Sequence, residues 1–305
     1  DLQHGVHVWK GVRYSLIFWI KDSSEAVREH TTPWYDALAE KGDADALYAL
    51  ALNYSNGSSG KPLDVVKAIE LYERSARLGH YFAQNNLGTL YKKAHKVTGL
   101  EGGLDKSAGW LRTAADAGFA MAQKNLALAY VAGEGVERSQ AEAASWMRRA
   151  AEQLDIEAAH LLAEMYREGR GVPQDFAEAA VWYRRSAKAG FPQAQYTLGV
   201  LLMEGQGVQK DEKKAEAWFR YAAKQGVDEA KNNLAALYAQ RGDVPEAAKI
   251  WSELAAKGEP NAQCNLGMCY MRGLGRDRDV EKAREWLQKA AAKGHRMAQS
   301  ALVQL

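Results

Sequence analysis

The sequence predicts an all-α fold built from repeated helix pairs, preceded by a short N-terminal β-hairpin. Three observations carry the helical part: a period near 36 residues, two apolar stripes of helical spacing in each period, and a glycine pair between them. From Gly42 the equivalent position recurs as Gly79, Gly118, Leu154, Gly190, Gly226, Gly258 and Gly294, in steps of 37, 39, 36, 36, 36, 32 and 36 residues. A large apolar residue stands eight places before each: Trp34, Leu71, Trp110, Trp146, Trp182, Trp218, Ile250 and Trp286. Self-similarity at such a period marks a repeat architecture.

Composition sets the outer limits. The 305 residues carry 40 Lys and Arg against 38 Asp and Glu, a net charge of +2, with 47% hydrophobic and 26% charged residues. That balance is that of a folded globular chain. It also argues against nucleic acid as a partner, which calls for a basic domain of pI above about 9. The longest apolar run, Leu16 to Ile20, falls far short of the roughly 18 residues of a spanning helix. Two cysteines make no disulfide framework, so nothing demands an oxidising compartment and a reducing intracellular or organellar setting is favoured. The chain begins at Asp1, not methionine, so a processed or longer natural chain is expected.

In chain order, residues 1–21 break the helical grammar. Val6-His7-Val8-Trp9 and Val12 to Ile20 read as two strands across Lys10-Gly11, rich in β-branched and aromatic residues. A lone hairpin is marginal in water, so this one needs a covering surface. Residues 31–42 form a capping helix, Thr32 to Lys41. Seven helix pairs then fill 43–294. First helices show Ala194, Leu198, Leu201 and Leu202, spacing i, i+4, i+7, i+8 on one face, repeated in Ala83-Leu87-Leu90-Tyr91 and Ala230-Leu234-Leu237-Tyr238. Second helices show Ala143, Trp146, Met147, Ala150 and Ala151, again one stripe. Between them stand Gly133-Glu134-Gly135, Gly169-Arg170-Gly171, Gly205-Gln206-Gly207 and Gly273-Leu274-Gly275, where glycine after a helix supplies the left-handed residue that ends it. Ser139-x-x-Glu142 and Asp175-x-x-Glu178, with Asp211 and Asp279, supply the start signals of second helices. A final unpaired helix covers 295–305. One unit cannot bury its tryptophan stripe alone, so neighbours are expected to stack on it.

The unit A-x3-L-x2-x-Y…G-x-G-V…D-x3-A-x2-W-[YF]-x2-A-A-x2-G closely resembles the Sel-one-like repeat, a relative of the tetratricopeptide repeat. The resemblance covers residues 31–305. It implies a right-handed α-α superhelical solenoid with a concave and a convex surface, and the role of a protein-binding scaffold or adaptor, an assembly or accessory subunit. Three units depart from the pattern: the first through its loop Ser55 to Pro62, the second through its linker His95 to Gly103, and the sixth, four residues short, through Gln240-Arg241-Gly242-Asp243. Such loops contact partners or reflect drift in length; both readings stand.

Residues 1–21 resemble the last strands of an iron- and 2-oxoglutarate-dependent oxygenase, with His4 followed nine residues later by Arg13-Tyr14-Ser15. That resemblance implies His4 as an iron ligand, Arg13 as the cosubstrate carboxylate anchor and Ser15 as its hydroxyl partner. The other two ligands come from an upstream His-x-Asp or His-x-Glu, which this sequence lacks; one histidine does not make the two-histidine, one-carboxylate face. The chain is therefore expected to be non-catalytic and without cofactor. The alternative is the C-terminal part of such an oxygenase, with the repeats recruiting the substrate protein.

Other chemistry is sparse. Cys264 and Cys269 read as buried thiols, and His30, His80, His95, His160 and His295 form no i, i+4 ligand pair. The repeated G-x-G follows helices, not a strand, so it is no phosphate loop. The candidate partner surface is a polar ladder on the first helices: Asn86, Asn125, Asn233 and Asn265 in one slot, with Thr197 in the fifth unit, and Asn85, Lys124, His160, Tyr196, Asn232 and Cys264 in the slot before it. Lining a concave groove, these groups are suited to hold an extended peptide backbone. The competing reading makes each amide a bond to the next repeat.

Overall fold

Sixteen α-helices make up the ordered architecture of residues 33–305, the part of the chain that the computed structural model describes. The hairpin expected over 1–21, with His4, Arg13 and Ser15, lies outside those residues. The helices are α1 Pro33–Glu40, α2 Ala44–Asn56, α3 Val65–Arg77, α4 Tyr81–Thr98, α5 Gly103–Asp116, α6 Ala120–Ala132, α7 Gln140–Glu152 and α8 Ile156–Glu168. They continue as α9 Phe176–Lys188, α10 Pro192–Glu204, α11 Glu212–Lys224, α12 Asp228–Gln240, α13 Val244–Ala256, α14 Pro260–Arg272, α15 Val280–Ala292 and α16 Arg296–Leu302. The all-α helix-pair class read from the sequence is what the structure contains. Even-numbered helices are the first members of the pairs and odd-numbered ones the second. The chain divides into two compact units, 1–139 and 140–305.

Each boundary has a local cause. First helices α6, α8, α10 and α14 stop at Gly133, Gly169, Gly205 and Gly273, whose N–H groups reach back to Ala129, Met165, Leu201 and Cys269 carbonyls. Asp175 accepts from the N–H of Ala177 and Glu178, Asp211 from Lys214 and Asp279 from Lys282, so the expected caps are formed. A cap of this kind contributes about 1 kcal/mol. Four buried glutamines do the corresponding work at the other end. The side-chain amides of Gln84, Gln123, Gln195 and Gln263 donate to the carbonyls of Ala76, Ala115, Ala187 and Ala255 at 3.1 to 3.2 Å. The first helices α4, α6, α10 and α14 thereby close the last turn of the helix before them, where carbonyls otherwise lack partners.

The second glycine of each pair explains how repeats stack. At Gly171 φ is +74°, and a Cβ there would stand 2.0 Å from the Gln140 carbonyl oxygen at the start of α7. The loop rests directly on the first turn of the preceding second helix. Gly135 meets Leu104, Gly207 meets Phe176 and Gly275 meets Val244 in the same way. Only a residue without Cβ fits, both for the backbone angle and for the approach.

In the first unit the core gathers Leu47, Leu71, Tyr72, Leu87 and Tyr91. In the second unit one cluster centres on Trp251, Leu254 and Leu266, and another on Cys264, Leu287, Ala298 and Ala301, which seats the unpaired helix α16. The tryptophan slot is only part of this core. Trp146 and Trp182 are buried, but Trp110, Trp218 and Trp286 are half-buried. The deepest position is the next residue: Tyr72, Leu111, Met147, Tyr183, Phe219 and Leu287 are each 2% exposed or less. Several indoles keep one face open to a cation, as with Arg149 over Trp146, Arg185 over Trp182 and Lys289 over Trp286, 4.3 to 4.4 Å from the ring centre.

Candidate functional site

The solvent-facing side of the first helices follows from their apolar stripe. With Ala194, Leu198, Leu201 and Leu202 turned inward, positions such as Gln193, Val200 and Glu204 must turn outward or lie at the edge. The polar ladder sits on the border between the two faces. Asn86, Asn125, Asn233, Asn265, Lys124, His160, Tyr196 and Asn232 are all half-buried, whereas Asn85 and Cys264 are buried.

In the first unit the amides bond one another across repeats. Asn125 donates to Asn85 at 2.9 Å, Asn85 to Asn86 at 3.3 Å, and Asn86 to the Tyr72 hydroxyl at 3.5 Å. Beside them lies an aromatic ridge. Tyr81, Phe82 and Phe119 meet with ring centres 4.6 to 5.0 Å apart, Tyr48 stacks on His80 at 4.6 Å, and Phe82 and Met121 remain exposed. His80 caps α4 by accepting from the Ala83 N–H, while its other ring nitrogen faces Asp45 at 3.1 Å. Burial pushes its pKa below the usual histidine value against the pull of Asp45.

In the second unit the same slots serve different neighbours. The Trp251 indole N–H donates to Asn232 at 3.1 Å, so this amide holds a core ring. His160 packs against Phe191 and Tyr183, with ring centres 4.9 and 5.6 Å away, and burial lowers its pKa despite Glu164 nearby. The Tyr183 hydroxyl donates to Glu164, which Arg167 also engages at 2.5 Å. Burial favours protonation of Glu164, but these two donors outweigh it and hold its pKa low.

Between α10 and α12 the surface opens into a cleft of about 310 Å³. Val200, Met203 and Glu204 form one wall, Asn233, Ala236 and Gln240 the other, with Phe219 among the lining groups. Of the sequence candidates only Asn233 lines it; Tyr196 is one turn away, hydrogen-bonded to Asn233. Burial, with Glu229 and Glu204 nearby, raises the Tyr196 pKa. The cleft residues escaped the sequence reading, although a signal exists. The slot of Ala236 holds Thr89, Leu128, Glu164, Val200 and Met268 in other repeats, so α12 carries the smallest side chain there. Among the described residues, no group of three or more His, Cys, Asp or Glu is placed to hold a metal ion, and no helix is long and apolar enough to cross a membrane.

Comparison with known proteins agrees with this geometry. Six segments match the model of the Sel1 repeat: 44–80, 82–119, 120–153, 156–191, 192–227 and 260–295. The helix pair α12–α13 falls in the gap between the last two. A protective antigen of uropathogenic Escherichia coli strains, described as displaying an SLR fold, superposes with a TM-score of 0.84 at 32% identity, over 88% of this chain and 58% of that one. A Sel1 repeat protein from Oxalobacter formigenes gives a TM-score of 0.67 at 32% identity, over 88% and 78% of the two chains. Chitin synthase regulatory factor 4 of Schizosaccharomyces pombe is 34% identical over 95 residues, 31% of this chain and 14% of that protein. The chain thus spans little more than half of the first structural relative and a small part of the yeast protein.

Proposed function

The chain belongs to the Sel1 repeat family, and from that premise we propose that it is a non-catalytic scaffold or adaptor that binds other proteins through the outward face of its first helices. The observation that supports this most is the cleft between α10 and α12, an apolar recess with amides and a carboxylate at its rim on that face. Recesses that are mostly apolar with a few polar groups suit side chains of a partner. The aromatic ridge of the first unit supplies a second surface of the kind enriched at interfaces. A regulatory relative that is named for another protein, chitin synthase, is in keeping with such a role. The finer reading is an accessory subunit of a larger complex, holding an extended partner segment against Asn86, Lys124 and Asn125 in the first unit, with the buried Asn85 positioning Asn125 from behind. In the second unit the contacts would be His160, Tyr196, Asn232, Asn233 and Asn265.

Affinity capture from the native cell extract, followed by binding measurements with the captured partner, tests it. Tyr196→Ala and Asn233→Ala are expected to weaken binding at least tenfold with melting unchanged. A lowered melting temperature with full binding would make these groups structural and defeat the assignment.

A further inference from the structure

We propose that the cleft between α10 and α12 recognises a partner segment in which one bulky apolar side chain lies within two residues of a lysine or arginine. This inference rests on the adaptor reading and specifies the chemistry of its ligand.

Volume and lining suit the cleft to an apolar side chain. A 150 Å³ cavity lined by aliphatic and aromatic groups accepts benzene. At about 310 Å³, lined by Val200, Met203, Ala236 and Phe219, this cleft accommodates a leucine, methionine or phenylalanine side chain with part of its own backbone. It persists because Ala236 replaces the larger residues of the other repeats. Its position is also particular. Sel1 matching stops at residue 227 and resumes at 260, so the α12 wall belongs to the divergent helix pair. That pair turns through Gly242, where an added Cβ would meet nothing within 4 Å, and so lacks the close glycine contact that Gly135, Gly171, Gly207 and Gly275 make with the preceding second helix.

The cationic half comes from Glu204. It is the last residue of α10, where the helix carbonyls already place partial negative charge, so a carboxylate there is unfavourable. It is exposed, and among the described residues no lysine or arginine pairs with it or with Glu229. Neighbouring acids are matched: Glu216 by Arg220 and Arg241, Asp228 by Lys257. An apolar recess with the unmatched Glu204 carboxylate in its wall, and Glu229 one helical turn before Asn233, complements an apolar side chain followed by a cation. Asn233 and Gln240, at the rim, offer donors and acceptors to the ligand backbone.

An immobilised positional-scanning octapeptide library, probed with the whole chain, tests the proposal. Selection of Leu, Ile, Met or Phe with Lys or Arg one or two places away is the expected result. Ala236→Trp, which fills the recess from an exposed helical position, should weaken the selected peptide at least tenfold. Glu204→Lys should shift selection towards acidic neighbours, with melting unchanged or raised. No such selection, or selected peptides that bind A236W as tightly as the parent, would overturn the proposal. If A236W still captures the native partner while the peptide result is negative, this inference fails and the adaptor reading stands. If the parent chain captures no partner at all, that reading fails first.

Discussion

The fourth and sixth helix pairs, α8–α9 and α12–α13, share one plan but fasten it differently. In the fourth, Gly171 presses its backbone against the Gln140 carbonyl, Asp175 caps α9, and Trp182 lies buried under Arg185. In the sixth, four residues are gone, and Gly242 serves a tight turn in open space. There the indole has moved one place along, to Trp251, where Asn232 holds its N–H. Ion pairs at the rim, Lys257 with Asp228 and Arg241 with Glu216, replace part of the lost contact. Surface pairs contribute only about 0–1 kcal/mol each, so the sixth pair is held mainly by its core. The comparison teaches that the deep apolar slot is indispensable to a repeat, whereas the glycine loop is a means of docking one repeat on the next.

The largest expected effect tests what is common to both pairs. Tyr183→Ala and Trp251→Ala should each cost about 3–5 kcal/mol in urea unfolding, because each empties the deep slot of its pair. A loss below about 1 kcal/mol at either position would break the equivalence. Next comes the difference between the loops. Gly171→Ala forces a Cβ onto a backbone oxygen as well as straining φ, and should cost about 3 kcal/mol. Gly242→Ala meets only the strain and should cost about 1 kcal/mol. Equal losses would show that the glycine contact does not fasten the repeats.

A smaller effect of opposite sign is expected in the closing slot. Gly190 and Gly258 end the fourth and sixth pairs at φ +95° and +93°, whereas the third ends on Leu154 at φ +68°. Leu154 is 81% exposed, so Leu154→Gly removes strain and little packing and should stabilise by about 1 kcal/mol. A destabilised variant would mean that this leucine makes a contact worth more than its strain.

The last test uses pH. His160 stands in the fourth pair where the sixth has Asn232. Burial lowers its folded pKa, so the unfolded chain binds the extra proton more readily. Its contribution is then complete above the unfolded value of about 6.5 and is lost as pH falls below it. Glu164, held low by Tyr183 and Arg167 against burial, has the same sign but acts in the carboxylate range. Hydrogen exchange should therefore loosen α8 more than α12 between pH 7.5 and 5.5, after correction for intrinsic rates. His160→Asn should abolish the difference. Equal loosening in the parent chain would exclude His160 as its source.

Much of the fold was legible because periodicity is a local property. Helix existence, the pairing, the stop at Gly169 and the caps at Asp175, Asp211 and Asp279 all follow from residue types at fixed offsets. The depth of each slot was not, because it depends on what the neighbouring helix presents. The sequence draws attention to tryptophan, but a ring at the edge of a helix interface, such as Trp286 beneath Lys289, keeps one face for a cation, and the smaller Leu287 beside it is the more deeply buried. The second glycine looked like a turn residue; its closer purpose, contact with a carbonyl some thirty residues earlier, is visible only in three dimensions. For the polar ladder, spacing placed Asn85, Asn125 and Asn233 on one border of the first helices. Whether an amide meets its neighbour, as Asn125 meets Asn85, or borders a cleft, as Asn233 does, depends on side-chain size one turn away.

A photocrosslinking residue, p-benzoylphenylalanine, placed in turn at Gln193 and Gln240 on first helices and at Arg184 and Gln288 on second helices, tests the central claim most directly. All four positions are exposed. The captured partner is expected to crosslink from Gln193 and Gln240 and not from Arg184 or Gln288. Crosslinks from the second-helix positions alone would contradict it.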